Sequence, residues 1–81
     1  SMFKKEDGYI DASQIPSKDK FQRMVKAFYP WPGVWTKVNE KTLKFLPGNL
    51  VQLEGKGALD VQIFLNGHPE IKKLFFQLGL I

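Results

Sequence analysis

The sequence predicts a small α+β domain, an antiparallel sheet of about three strands packed with about three helices. Three observations carry that prediction. Apolar residues recur at helical spacing in two stretches, residues 21–28 and 71–78. They alternate singly with polar residues between Val34 and Glu54, and Gly, Pro and Asn gather between the stretches. With 81 residues the chain reads as one domain, 1–81. A chain this short buries only roughly 60–65% of the surface its unfolded form exposes, which leaves no second core to build. Hydrophobic residues at 43% and charged residues at 25% place it among folded sequences and not disordered ones.

Ser1-Met2 reads as a remnant of expression and is set aside. Gly8-Tyr9-Ile10 is expected to be a short extended segment, with Asp11 to Ser13 as loop or edge. From Ser17 the pattern turns helical: Phe21, Met24, Val25 and Phe28 fall at i, i+3, i+4, i+7. Ser17 is the expected N-cap, Asp19 suits the positive end of the helix dipole, and Pro30 and Pro32 bound the far end. Residues 34–38 and 41–45 then alternate as a hairpin about Asn39-Glu40. Asn39-Glu40 is the expected turn; Glu40 is a poor residue for the positive φ of a two-residue turn, which leaves a slightly longer loop as the alternative. Pairing puts Val34, Thr36, Val38, Leu43 and Phe45 on one face and Trp35, Lys37, Thr42 and Lys44 on the other. Pro47-Gly48 marks a turn, residues 49–54 a third strand, and Gly55-Lys56-Gly57 its end. Asp60 is the expected N-cap of a short helix through Phe64 and Leu65, stopped at Asn66-Gly67 with the glycine left-handed. Pro69 opens a last helix carrying Ile71, Leu74, Phe75 and Leu78; Gly79 closes it and Leu80 packs back.

Twelve Lys+Arg against eight Asp+Glu leave a net charge of +4, which suits a polyanionic partner without demanding one. The sequence contains no Cys, hence no disulfide framework and no thiolate metal site. No apolar run reaches the roughly 20 residues that cross a bilayer, and the expectation is a cytoplasmic protein with no membrane partner. Catalysis and metal binding are not expected: His68 is the single histidine, it has no candidate partner, and between Gly67 and Pro69 it reads as a solvated loop residue.

Several words of the sequence resemble, in order, the C-terminal domain of methionyl-tRNA formyltransferases. They are Asp7-Gly8-Tyr9-Ile10-Asp11, residues 25–36 around Pro30-Trp31-Pro32-Gly33, Leu43-Lys44-Phe45, Val51-Gln52-Leu53-Glu54-Gly55-Lys56 and Phe64-Leu65-Asn66-Gly67. The resemblance runs from about Asp7 to His68. It implies an OB-like sheet, here shortened, because only Leu46-Pro47-Gly48-Asn49-Leu50 stand where the family usually has further strands. It also implies a parent with an N-terminal Rossmann-type catalytic domain that uses 10-formyltetrahydrofolate, no cofactor in this chain, and initiator methionyl-tRNA as partner. Lys56 is followed by Gly57 where the family often has a second basic residue, and Asp60 stands where it tends to have Ser.

The lysines are the candidate site. Lys37 and Lys44 share the outward hairpin face with Trp35, Lys41 stands at the tip, Lys56 lies between glycines, and Arg23 and Lys26 on the first helix extend the set. Such a group binds a nucleic-acid backbone by releasing its counterions, weakly and without regard to sequence; singly, each is an ordinary solvated charge. Lys72 and Lys73 read as plain surface. Pro30-Trp31-Pro32-Gly33 is expected to be structural, a stiff corner with Trp31 wedged between helix and sheet, in preference to an exposed stacking platform. Two rival functions stay open: a scaffold or oligomer contact in a sugar N-formyltransferase, and a stand-alone protein-interaction module.

Overall fold

The computed structural model describes residues 4–81; Ser1-Met2, read above as a remnant of expression, lies outside the described residues. Lys5–Gly8 form a 3-10 turn, held as the Lys4 amide donates to Asp7 Oδ2 at 2.8 Å. The segment expected to be extended is therefore split. Gly8 closes the turn, while Tyr9 bridges Trp35 in parallel and the Ile10 amide donates to the Trp35 carbonyl at 2.8 Å. Gly8 is buried, and a Cβ there would run into the Gly33 carbonyl oxygen, so only glycine permits this approach.

Helix α1 (Lys18–Phe28) starts as read: Ser17 Oγ accepts from the Lys20 amide at 3.1 Å. Its buried residues are Phe21 and Val25, one apolar stripe. Strands β1 (Val34–Val38), β2 (Lys41–Leu46), β3 (Leu50–Leu53) and β4 (Ala58–Asp60) follow in one antiparallel sheet, in chain order. The hairpin turn is Asn39-Glu40, as the sequence predicts, with Asn39 at φ 50° and Glu40 at φ 68°. The pairings Val34 with Phe45 and Val38 with Lys41 leave no room for a longer loop. β4, absent from the sequence reading, pairs Val51 with Leu59 and Gln52 with Ala58. All three of its residues are exposed, so it shows no alternation to find. With β1 and β4 as edges the sheet is open; the shortened OB-like expectation holds, with four strands in place of about three.

Asp60 caps α2 (Val61–Gly67) by accepting from the Gln62 amide at 2.8 Å. Gly67 is not left-handed, contrary to expectation; the helix runs through it and ends at His68 with φ −139°. A 3-10 turn at Pro69–Ile71 leads into α3 (Lys72–Gln77). That helix closes with paired bonds from the Gly79 amide to the Phe76 carbonyl and from the Leu80 amide to the Phe75 carbonyl, Gly79 at φ 82°.

The core lies between the inner sheet face and the helices. Phe45 meets Phe21 of α1 edge-on at 5.1 Å and Phe75 of α3 at 5.9 Å, and Phe75 stacks with Phe64 of α2 at 6.2 Å. Val34, Val38, Leu43 and Val51 complete it from the sheet and Leu80 from the C-terminus. Thr36, the one buried polar side chain among the described residues, donates to the Ile10 carbonyl at 2.8 Å. No helix among the described residues is long and apolar enough to cross a membrane.

Candidate nucleic-acid interface

All three α-helices take the inner face, which leaves the outer face of the sheet open except where the Lys5–Gly8 turn lies against Trp35. Register sets what stands there: Trp35 lies opposite Lys44, Lys44 opposite Gln52, and Lys37 opposite Thr42. The outward row is thus indole, ammonium and amide across three strands. Its neighbours form an open hollow of about 520 Å³ lined by Trp31, Pro32, Trp35, Lys5, Lys44 and Glu54 among others.

Trp35 forms the floor and is fully engaged. Its Nε1 donates to the Lys5 carbonyl at 2.9 Å, its ring lies 4.7 Å from that of Tyr9, and the Lys5 and Lys37 ammonium groups stand 5.4 and 5.9 Å from its centroid. This side chain pins the Lys5–Gly8 turn onto β1. Lys5 joins the site through this contact, from thirty residues away in sequence, so no local pattern around it pointed to the site.

Trp31 overturns its expected place. It is 64% exposed, while Pro32, Gly33 and Val34 are buried. The Gly33 amide donates to the Phe28 carbonyl at 2.9 Å with Gly33 at φ 82°, so the corner is closed by proline and backbone and the indole is turned outward. Absence of a side chain at Gly33 also makes room for Lys44, whose Cε would stand 3.3 Å from a Cβ placed there.

The lysine set divides. Lys37 Nζ donates to Thr42 Oγ1 at 3.4 Å, and Lys41 stands exposed at the hairpin tip. Both act on Glu54. The Thr42 amide donates to Glu54 Oε1 at 3.0 Å and, aided by the fields of Lys37 and Lys41, holds this carboxyl below its ordinary range. Lys56 shares this end of the sheet, in the β3–β4 turn, fixed as its carbonyl accepts from Gln52 Nε2 at 2.9 Å. It also borders a second hollow with Leu59, Phe64 and His68, on the side of the sheet that α2 occupies. Arg23 and Lys26 do not extend the patch. They ride on α1, behind the sheet, where Arg23 pairs with Asp19 at 3.2 Å and Lys26 borders the β2–β3 turn. Helix packing decides this, because the face of α1 that carries Phe21 and Val25 must meet the inner side of the sheet.

His68 is not the solvated residue expected. It is half-buried, its ring stacked on Phe64 at 4.2 Å and 8°, and its Nδ1 lies 3.2 Å from the Phe64 carbonyl. Among the described residues no three His, Cys, Asp or Glu side chains are grouped to hold a metal ion.

Comparison with known proteins gives a match to the family described as formyl transferase, C-terminal domain, over residues 2–58. A methionyl-tRNA formyltransferase of Geobacter metallireducens is 34% identical over 97 aligned residues, covering 82% of this chain and 30% of that protein. The aligned stretch exceeds the length of this chain, so the relative carries residues that this chain lacks. Methionyl-tRNA formyltransferases of Treponema denticola and Dehalococcoides mccartyi (strain CBDB1) are 40% and 48% identical over 52 residues, covering 64% and 60% of this chain and 16% of each protein. The chain therefore spans less than a third of these relatives.

Proposed function

The chain belongs to the formyl transferase C-terminal domain family, and from that premise we propose that it is the tRNA-holding part of a methionyl-tRNA formyltransferase. In this reading the outer sheet face meets the ribose-phosphate backbone of initiator methionyl-tRNA, and the chemistry belongs to a separate N-terminal Rossmann-type domain, where 10-formyltetrahydrofolate would bind. No residue of this chain is assigned to that donor or to formyl transfer. Lys37 and Lys44 hold the phosphates and Lys41 and Lys56 stand at the rim, each neutralising charge without reading sequence.

One observation carries the reading: Lys5, Lys37 and Lys44 converge on the sheet face that the three α-helices leave open. Their work is positional, since a backbone grip orients the tRNA while the other domain acts on the aminoacyl end.

The test is titration of the full chain with initiator tRNA over a range of salt. Affinity should fall steeply with salt, and Lys37→Ala, Lys44→Ala and Lys56→Ala should each flatten the slope by about 0.7–0.9. Lys72→Ala, on α3, should leave it unchanged. Binding indifferent to salt, or to all three substitutions, defeats the reading.

A further inference from the structure

Resting on the reading that this face meets RNA, we propose that the hollow beside Trp31 receives one unpaired base, stacked on the Trp31 indole, while Lys44 and Lys5 hold the phosphates that flank it. Charge attracts any polyanion. A large aromatic surface left open next to that charge is useful to a nucleotide whose base is out of a helix.

The two tryptophans show why Trp31 is the platform. The Trp35 ring is flanked by Tyr9 and two ammonium groups and its N–H is spent on the Lys5 carbonyl. Trp31 is 64% exposed and makes no hydrogen bond or ring contact with another described residue. It stands between Pro30 and Pro32, whose rings fix the backbone on both sides. With the backbone so restrained, only the two side-chain torsions of the indole remain to be fixed when a base lands on it. Leaving an indole open to water is otherwise unfavourable, and stacking would relieve it.

The hollow has the size and the chemistry. Its volume of about 520 Å³ lies within the roughly 300–1,000 Å³ range of small-molecule clefts. Pro32 adds an apolar wall, and Lys44 and Lys5 supply cations on its border. A duplex keeps its bases stacked on one another and has none to place on Trp31. The proposal is thus specific for single-stranded, looped or terminal nucleotides, which a folded tRNA carries.

The experiment compares Trp31→Ala with the unaltered chain, using a short single-stranded RNA and a blunt RNA duplex as separate probes. Binding is followed by tryptophan fluorescence and by anisotropy of labelled RNA. Trp31→Ala should weaken the single strand about tenfold and leave the duplex almost unchanged. Trp31→Phe should keep most of the single-strand affinity while reducing the fluorescence quench to the share that comes from Trp35, which lines the same hollow. Lys44→Ala should weaken both probes. Circular dichroism of each variant should match the unaltered chain, Trp31 being exposed. Full single-strand affinity in Trp31→Ala, or an equal loss for both probes, overturns the proposal while leaving the salt-dependent tRNA grip intact. Loss of salt-dependent tRNA binding itself would instead overturn the reading on which it rests.

Discussion

The two faces of the sheet are built from the same strands and share nothing else. On the inner side, Phe45 of β2 is surrounded by Phe21 and Phe75, with Leu43 one pleat away and wholly buried. Lys44 stands between them in sequence and faces the other way, beside Trp35 and Gln52. The period of two lets alternate residues serve separate ends: one set holds the fold and the other is free to carry charge. Stability and binding should therefore be separable along a single strand, residue by residue.

Phe21→Ala gives the largest expected effect and tests that separation most severely. Phe21 has no exposed surface, and emptying such a site costs about 3–5 kcal/mol. At roughly 0.1 kcal/mol of stability per residue, that is about half of what a domain this small possesses. Urea denaturation followed by circular dichroism should show it as a large fall in midpoint. Lys44→Ala, one pleat from the core, should shift the same midpoint by less than about 1 kcal/mol. Comparable losses in both would mean that the outer face is part of the core's packing.

Legibility in the sequence follows the same division. The inner face was readable because burial imposes a pattern: alternation in β1, β2 and β3, helical spacing in α1, and caps at Ser17 and Asp60 that the structure reproduces. β4 escaped because an exposed three-residue strand has no pattern to show. The outer face was readable only in part. Lys37, Lys44 and Trp35 share it because alternation required it, whereas Lys5 arrives through a contact thirty residues away. Trp31 was misjudged for a related reason. Aromatic residues usually seek the interior, but Pro32 and Gly33 had already taken that place and turned the indole to solvent.

Glu54 gives a smaller effect, of opposite sign on the two properties. Its folded pKa lies below the ordinary 4.5, chiefly through the Thr42 amide. A lowered value means stability that is present above pH about 4.5 and lost as pH falls through the folded value. That loss should appear as a drop in urea midpoint as pH falls below about 4.5 that is absent from Glu54→Gln, the difference between the two proteins isolating this group from other carboxylates. RNA binding should move the other way. Removing the one carboxylate that borders Lys44 in the hollow should tighten binding about twofold at neutral pH. Weaker binding in Glu54→Gln would show that the carboxylate itself touches the RNA.

Arg23 gives the smallest effect and sharpens the comparison from the far side of the molecule. Its guanidinium lies 3.2 Å from Asp19 four residues earlier, both side chains largely in solvent. An exposed pair of this kind contributes at most about 0.5 kcal/mol, so Arg23→Ala should barely move the urea midpoint. The informative measurement is RNA affinity at low salt, where charge alone would make Arg23 count as much as Lys44. Since α1 stands behind the sheet, Arg23→Ala should leave the salt slope unchanged while Lys44→Ala flattens it. Equal slopes for the two variants would mean that the whole charged surface attracts RNA and that the outer face has no privilege. Unequal slopes would place the grip on the side of the sheet that the helices leave open.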